Sequence, residues 1–145
     1  QGSAIERMGN DARAFFAMAF MMDQSFPLLY TGQEAGIDYR FPFFSKDTVG
    51  VDWSANADHA NFYATLFDLK HKHPALWNGA YGGEMSLTSD TVTNTVMISR
   101  TLGEDQVNGF FAFGGREVVV GEGDGELVLD LHGAKIFTKT LATNE

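Results

Sequence analysis

The chain has 145 residues, a formal net charge of −9 at pH 7, 44% apolar residues and no cysteine. This length suits one ordinary globular domain. The acidic balance argues against nucleic acid as a partner, because phosphate backbones are bound by clustered Lys and Arg. No apolar run reaches the roughly 20 residues that a membrane-spanning helix needs, and the lack of cysteine excludes a disulfide framework and thiol chemistry.

The first half of the chain has a helical pattern. Asn10 can cap a helix over residues 11–22, and Asp11 in its first turn suits the helix dipole. Apolar residues occur on every side of this helix, which predicts burial against more than one neighbour. They are Ala12, Ala14, Phe15, Phe16, Ala17, Met18, Ala19, Phe20, Met21 and Met22.

A short apolar run at residues 26–30 then predicts a core strand of a parallel sheet. The loop over residues 31–53 is rich in aromatic residues, and loops of this length are usually functional. A second helix is predicted to start at Ser54, Asn56 or Asp58 and to stop before Pro74, with cationic residues 70–72 near its end.

The pattern changes once, near Gly79, and becomes that of short strands. Apolar and polar residues alternate over 92–99, and further apolar runs occupy 107–113, 118–120, 127–131 and 136–141. Asp124-Gly125 predicts a type I′ hairpin turn. Five or six strands at regular spacing predict an antiparallel β-sandwich. The chain is therefore divided into a part over residues 1–78 and an all-β domain over residues 79–145.

Three segments, in this order and spacing, resemble the α-amylase family, glycoside hydrolase family 13. They are PLLYTGQEAG at 27–36, FFSKDTVGVDW at 43–53 and HPALWNG at 73–79. In that family the first segment forms the eighth strand of a (β/α)₈ barrel, and the last leads out of the eighth helix. The resemblance implies an α+β chain: the end of the barrel, with two helices and one strand, followed by an antiparallel β-sandwich C-terminal domain.

The resemblance also implies which residues bind and which do not react. The family's catalytic Asp, Glu and second Asp lie on barrel strands four, five and seven, upstream of residue 1, so no catalytic residue is expected here. Tyr30, Gly32, Gln33 and Glu34 are expected to be structural. The loop at the carboxyl end of a barrel strand lies where barrel active sites form, so Tyr39, Arg40 and Trp53 are the expected substrate-binding residues, with Phe41, Phe43 and Phe44 as further candidates for the sugar wall.

Other readings of the polar residues are weaker. Glu34, Asp38, Asp47 and Asp52 put several carboxylates in one loop, but a glycosidase needs a pair at a fixed separation across the scissile bond. His71 and His73 lie two residues apart and therefore point in different directions on a helix. The acidic turn at residues 122–126 lacks the calcium-loop ligand order. Neither a metal nor a cofactor is expected.

Two functions from different classes remain. The first is a C-terminal fragment of an α-amylase-like enzyme that hydrolyses starch or maltodextrin with retention, in which this chain supplies scaffold and weak α-glucan contact. The second is a non-catalytic carbohydrate-binding or interaction module. Because most of a barrel would be absent, the helix over 11–22 and the strand over 26–30 are expected to be exposed and to form a homo-oligomer. Leu76 and Trp77 are expected to be buried at the junction.

Overall fold

The structure is a computed structural model, and it describes residues 2–42, 51–121 and 124–142. Within these ranges it contains three α-helices and five β-strands. The helices are α1 (Ala4–Met8), α2 (Ala12–Met21) and α3 (Ala57–Lys72). The strands are β1 (Glu84–Asp90), β2 (Thr95–Leu102), β3 (Asp105–Phe111), β4 (Glu126–Leu131) and β5 (Ala134–Thr140).

The chain becomes helical earlier than its apolar pattern predicts. A capping box starts α1: Glu6 N donates to Ser3 Oγ over 3.1 Å, and Ser3 N donates to a Glu6 carboxylate oxygen over 2.6 Å. A 3₁₀ turn over Gly9–Asp11 links α1 to α2. The predicted cap at Asn10 is wrong, since the turn runs through it. The side chain of Asp11 instead accepts a hydrogen bond from Gly114 N over 2.7 Å, which ties the helix to the sheet domain.

The second predicted helix is confirmed as α3. Asn56 occupies its N-cap position, one of the three predicted start residues. The helix ends at Lys72 because His73 precedes Pro74, and a residue before proline is pushed to an extended conformation. The cationic residues 70–72 fall in its last turn, where they complement the negative end of the helix dipole.

The strand predicted over residues 26–30 does not form. Burial alternates along residues 25–30, as in an extended chain, but none of the described strands pairs with it. Phe26, Leu28 and Tyr30 are 89%, 72% and 64% exposed, whereas Leu29 packs against the core. An extended segment becomes a core strand only when a neighbour supplies its hydrogen bonds on each side, and the described chain places no such neighbour there.

The five strands form one antiparallel sheet in the order β1-β2-β3-β5-β4. In this sheet region two predicted strand assignments are wrong, and one strand was missed. Val92 lies in a turn, because the Asp90 side chain accepts from Val92 N over 2.8 Å and from Thr93 Oγ1 over 2.9 Å. Residues 118–120 form no strand, and β1 was not predicted. Gly125 precedes β4, but the hairpin that joins β4 to β5 turns at residues 132–133.

The α+β class and the antiparallel sheet are confirmed, but the described strands form a single sheet and not a sandwich. The reason is that α2 and α3 pack against the face that a second sheet would cover. Buried residues from the two helices and from β2–β5 make one core, which includes Phe20, Leu66, Ile98, Val107 and Ile136. The division of the chain at Gly79 stays a prediction.

Helix α2 is buried within the chain, so the prediction that its apolar side chains are exposed is wrong. Phe20 and Met21 are fully buried. Phe16 meets Tyr63 of α3 edge-on, with ring centroids 4.9 Å apart, and Phe15 stacks on Phe113 at 4.2 Å. These contacts use more than one side of the helix, in agreement with its apolar pattern. The apolar pattern requires two neighbours for this helix, and these are α3 and the sheet.

The linker between α3 and β1 is fixed by polar contacts. The Asp105 carboxylate accepts from Ala75 N over 2.9 Å and lies 2.7 Å from His73 Nδ1. Leu76 is fully buried, as predicted, but Trp77 is 43% exposed and that prediction is wrong. The indole Nε1 of Trp77 donates to Lys70 O at the end of α3 over 2.9 Å, which holds the ring at the surface.

Arg100 on β2 is 1% exposed and holds three separate segments together. Its guanidinium group donates to three backbone carbonyl oxygens: Gly83 O at 3.2 Å, Met21 O at 3.1 Å and Trp77 O at 2.8 Å. These belong to the start of β1, the end of α2 and the linker. An arginine guanidinium group has five N–H donors in one rigid plane, so it suits this arrangement better than any other side chain.

We expect Arg100→Met to lower the free energy of unfolding by roughly 3 kcal/mol or more, because it leaves three carbonyl groups without their charged donor. Urea unfolding followed by circular dichroism measures the change. The control is Arg116→Met at an exposed position, which should change stability by about 0.5 kcal/mol or less. An Arg100→Met protein as stable as the control would contradict this role.

Candidate functional site

An open cleft of about 380 Å³ lies where the start of the chain meets the loop over residues 30–41. Two arginines, Arg7 and Arg40, line it together with aromatic side chains. Its lining residues are Gly2, Ser3, Ala4, Arg7, Met8, Tyr30, Thr31, Gln33, Ile37, Tyr39, Arg40 and Phe41. The volume falls in the range of small-molecule sites. We call this the arginine cleft.

The loop wall of the arginine cleft is held by its own hydrogen bonds. Tyr30 N donates to Gln33 Oε1 over 2.7 Å, and Gln33 N donates to Tyr30 O over 3.0 Å. Gly32 O accepts from Ala35 N and Ile37 N, at 3.1 and 3.0 Å. Gly32 has φ +88°, and a Cβ there would lie 2.3 Å from Ile37 Cδ1. The loop therefore requires glycine at this position. The structural role assigned to Tyr30, Gly32, Gln33 and Glu34 stays a prediction.

Two of the three predicted substrate-binding residues line the cleft. Tyr39 is 38% exposed, and its ring meets that of Phe41 edge-on with centroids 5.4 Å apart. Arg40 is exposed beside it. Neither Arg40 nor Arg7 forms a salt bridge with any residue in the part of the chain that the structure describes. Among the described residues, therefore, no carboxylate occupies either guanidinium group.

The structure does not bring Trp53 into the arginine cleft. Trp53 is 56% exposed and lies on the turn that precedes α3. In that turn Asp52 Oδ1 accepts from Ser54 Oγ over 2.6 Å and from Ser54 N over 3.0 Å, and these hydrogen bonds lower the pKa of the Asp52 carboxyl. Phe43, Phe44 and Asp47 lie outside the described residues. Substrate contact by Tyr39, Arg40 and Trp53 stays a prediction.

Behind the loop, Glu34 and His59 each have a buried polar atom without a partner. Glu34 Oε2 and His59 Nδ1 are inaccessible to solvent and bond to none of the described residues. Burial and the nearby charge of Arg13 lower the pKa of His59. Burial also raises the pKa of Tyr63 to about 12; the charge of Arg13 opposes this and that of Glu34 adds to it. Arg13 thus acts electrostatically on both His59 and Tyr63, and Glu34 acts on Tyr63, in a partly buried region.

The arginine cleft offers hydrogen-bond donors and flat rings, and no Asp or Glu is among the described residues that line it. Asp38 is exposed next to the wall, and Glu6 points back to its own helix cap. In residues 2–42, 51–121 and 124–142, no three metal-ligating side chains come together. The described wall is therefore equipped to hold a ligand, whereas glycoside hydrolysis needs two carboxyl groups across the scissile bond.

Among solved structures, the fold resembles a maltogenic amylase from S. marinus, with a TM-score of 0.61 and 14% sequence identity. The likeness covers 90% of this chain and 20% of that chain. The chain therefore spans 20% of the length of this structural neighbour. No protein-family model and no curated protein sequence matches the chain. At this identity the likeness concerns the fold alone: the α+β arrangement is amylase-like.

Sequence reasoning missed Arg7 as a lining residue of the cleft. It placed the first helix at 11–22 and made no assignment for residues 3–8. The signal was present, because Ser3 followed three residues later by Glu6 is the capping-box pattern. What no local pattern reveals is that α1 would face the loop over 30–41, since that contact depends on how α2 packs on the sheet.

We expect the half-buried His59 to make the stability of the protein depend on pH in the acid range. Its pKa is lower in the folded protein than the ordinary value near 6.5, so the unfolded chain binds the proton more readily. The stability that the neutral His59 contributes to the folded protein is complete above about pH 6.5. It is lost as the pH falls through the pKa that His59 has in the folded protein. Urea unfolding at about pH 8 and about pH 5 should show a smaller acid loss in His59→Gln than in wild type.

The matched control is His71→Gln, at an exposed position on the same helix. This variant should lose as much stability in acid as the wild type. If His59→Gln and wild type lost equal stability between the two pH values, the pKa of His59 would not be lowered by folding.

Proposed function

We propose that this chain is the C-terminal part of an α-amylase-like glycoside hydrolase, in which it forms scaffold and one wall of an α-glucan groove. The observation that carries this proposal is the amylase-like fold over 90% of the chain, together with its coverage of only 20% of the structural neighbour. The three family-like segments support it independently of the fold. The first segment, residues 27–36, includes Tyr30, Thr31 and Gln33 of the cleft wall.

On this proposal the helices and the segment over residues 26–30 are the end of a (β/α)₈ barrel. The parent enzyme hydrolyses α-glucosidic bonds of starch or maltodextrin with retention, through carboxyl groups on barrel strands outside this chain. The lack of carboxylates in the described wall of the cleft supports this division of labour. Tyr39 and Arg40 are the proposed sugar contacts, with a ring for the sugar face and donors for its hydroxyl groups. Trp53 is a proposed further contact on the neighbouring turn.

We expect the isolated chain to bind maltohexaose weakly without hydrolysing it. Titration of the sugar, followed by protein NMR shifts, should place the largest changes at residues 30–41. Tyr39→Ala should weaken binding about tenfold, equivalent to about 1.4 kcal/mol, because it removes the ring against which the sugar packs. The hydrolysis assay uses starch, pullulan and an aryl maltoside.

The matched control is Tyr81→Ala, which removes a ring that is 79% exposed and does not line the cleft. It should bind like the wild type. Hydrolysis above the buffer blank that disappears in Glu34→Gln would overturn the scaffold role. Shifts confined to the outer face of the sheet would favour a separate carbohydrate-binding module.

We also propose that the isolated chain self-associates through residues 26–30. Phe26, Leu28 and Tyr30 form an exposed apolar row along an extended segment without a described strand partner. Such a segment pairs readily with a second extended chain. Because α2 is buried in the core, this row replaces the helix as the proposed interface.

We expect light scattering over a dilution series to show a dimer or larger species that dissociates on dilution. Leu28→Lys should shift the protein to monomer, because it puts a charge in the apolar row. The control is Val92→Lys, in the exposed turn between β1 and β2, where the side chain is 88% exposed. A wild-type chain that stays monomeric at every concentration would contradict self-association.

A further inference from the structure

We propose that the arginine cleft binds a sugar that carries a phosphate monoester, with Arg7 and Arg40 as the phosphate ligands. This inference rests on the proposed function and names the substrate class of the same site. It starts from the distribution of charge. The chain has 19 acidic and 10 basic residues, yet the described lining of the cleft contains two arginines and no acid.

Three cations elsewhere in the described chain are paired or bound. Lys72 lies 2.7 Å from Asp68, Lys135 pairs with Asp130, and Arg100 is bound to three carbonyl groups. Arg7 and Arg40 share one cleft and have no described carboxylate partner. Both arginines are exposed in this cleft, and an anion bound there would be attracted by both. A phosphate monoester, with a charge of about −1.5 to −2 at pH 7, offsets both.

The arginines and Gln33 supply donors to the cleft, and the hydroxyl groups of Tyr30, Thr31 and Tyr39 can donate as well as accept. Gln33 Oε1 is engaged by Tyr30 N, which leaves the amide nitrogen as the end of this side chain that can donate. Ser3 Oγ already accepts from Glu6 N. The guanidinium groups only donate. A neutral sugar hydroxyl is both donor and acceptor, whereas phosphate oxygens are strong acceptors and match a donor-rich wall more fully.

The aromatic side chains of the cleft are the part that would contact the sugar ring of the ligand. Tyr39 and Phe41 meet edge-on and present partly exposed rings beside Arg40. A cleft of about 380 Å³ has room for a small sugar together with one phosphate group. The rings would pack against the sugar face, and the two arginines would bind the phosphate group. Tight binding therefore requires both parts of the ligand.

The test is calorimetric titration of the full chain with maltose, with maltose phosphorylated at a 6-hydroxyl group, and with inorganic phosphate. At low ionic strength the phosphorylated sugar should bind at least about tenfold more tightly than maltose, because hydrogen bonds to charged groups are the stronger ones. The preference should shrink as salt is added. Inorganic phosphate should bind more weakly than the phosphorylated sugar, because it lacks the ring contact.

Substitutions of the arginines test whether the preference for the phosphorylated sugar arises in the cleft. Arg7→Gln and Arg40→Gln should each remove most of the gain from the phosphate, so that the affinities for phosphorylated maltose and for maltose become nearly equal in each variant. Arg40→Lys should keep part of the gain, because it retains the charge but not the two-pronged geometry. The matched control is Arg116→Gln, which makes the same change of net charge at an exposed position outside the cleft. It should keep the full preference.

The possible failures separate the two proposals. Equal affinity for maltose and its phosphate ester would overturn the phosphate inference and leave the glucan contact standing. No binding of either sugar would overturn both. A loss in Arg116→Gln as large as in Arg40→Gln, or inorganic phosphate binding as tightly as the phosphorylated sugar, would mean general attraction of anions and would also overturn the inference.

Discussion

The buried guanidinium group of Arg100 is the contact on which the arrangement of the chain depends. It joins the end of α2, the linker after α3 and the start of β1, three segments that are far apart in sequence. A buried cation is costly unless its donors are satisfied, so these three carbonyl groups must stay where they are. This constraint fixes how the helical half sits on the sheet, and the apolar core then fills the space between them.

The arginine cleft depends on the same packing. Gly109 on β3 lacks the Cβ that would lie 3.3 Å from Met21 Cε and 2.7 Å from the Phe111 ring, so α2 can approach the sheet closely. Once α2 is in place, the hydrogen bond from Gly114 N to Asp11 fixes its start, and the short turn before it sets α1 beside the loop over 30–41. The two arginines of the cleft lie 33 residues apart in sequence and meet only because of this packing.

The sequence predicted α3 well because its signals are local: a cap residue, a wide apolar face and a proline after its end. The antiparallel strands β2 to β5 were predicted approximately for the same reason. Two of the features that the sequence did not predict concern the sheet. The Asp90 turn converted part of a predicted strand into a hairpin, and the helices covered the sheet face assigned to a second sheet. Tyr39 and Arg40 were selected as site residues from their loop, but Arg7 required the tertiary contact. Trp53 was selected by residue type, and packing placed it on another turn.

The contrast between α2 and residues 26–30 shows what separates a helix from an extended segment that lacks strand neighbours. A helix satisfies its backbone hydrogen bonds internally, so α2 keeps its form and buries its side chains wherever an apolar face is offered. A strand takes its hydrogen bonds from neighbours, so residues 26–30 keep the alternating burial of an extended chain but form no ladder. The unpartnered buried atoms of Glu34 and His59 lie behind the loop that follows this segment. Two of the three unpartnered buried side-chain atoms among the described residues therefore lie near this exposed apolar row, and the third, Thr95 Oγ1, lies on β2.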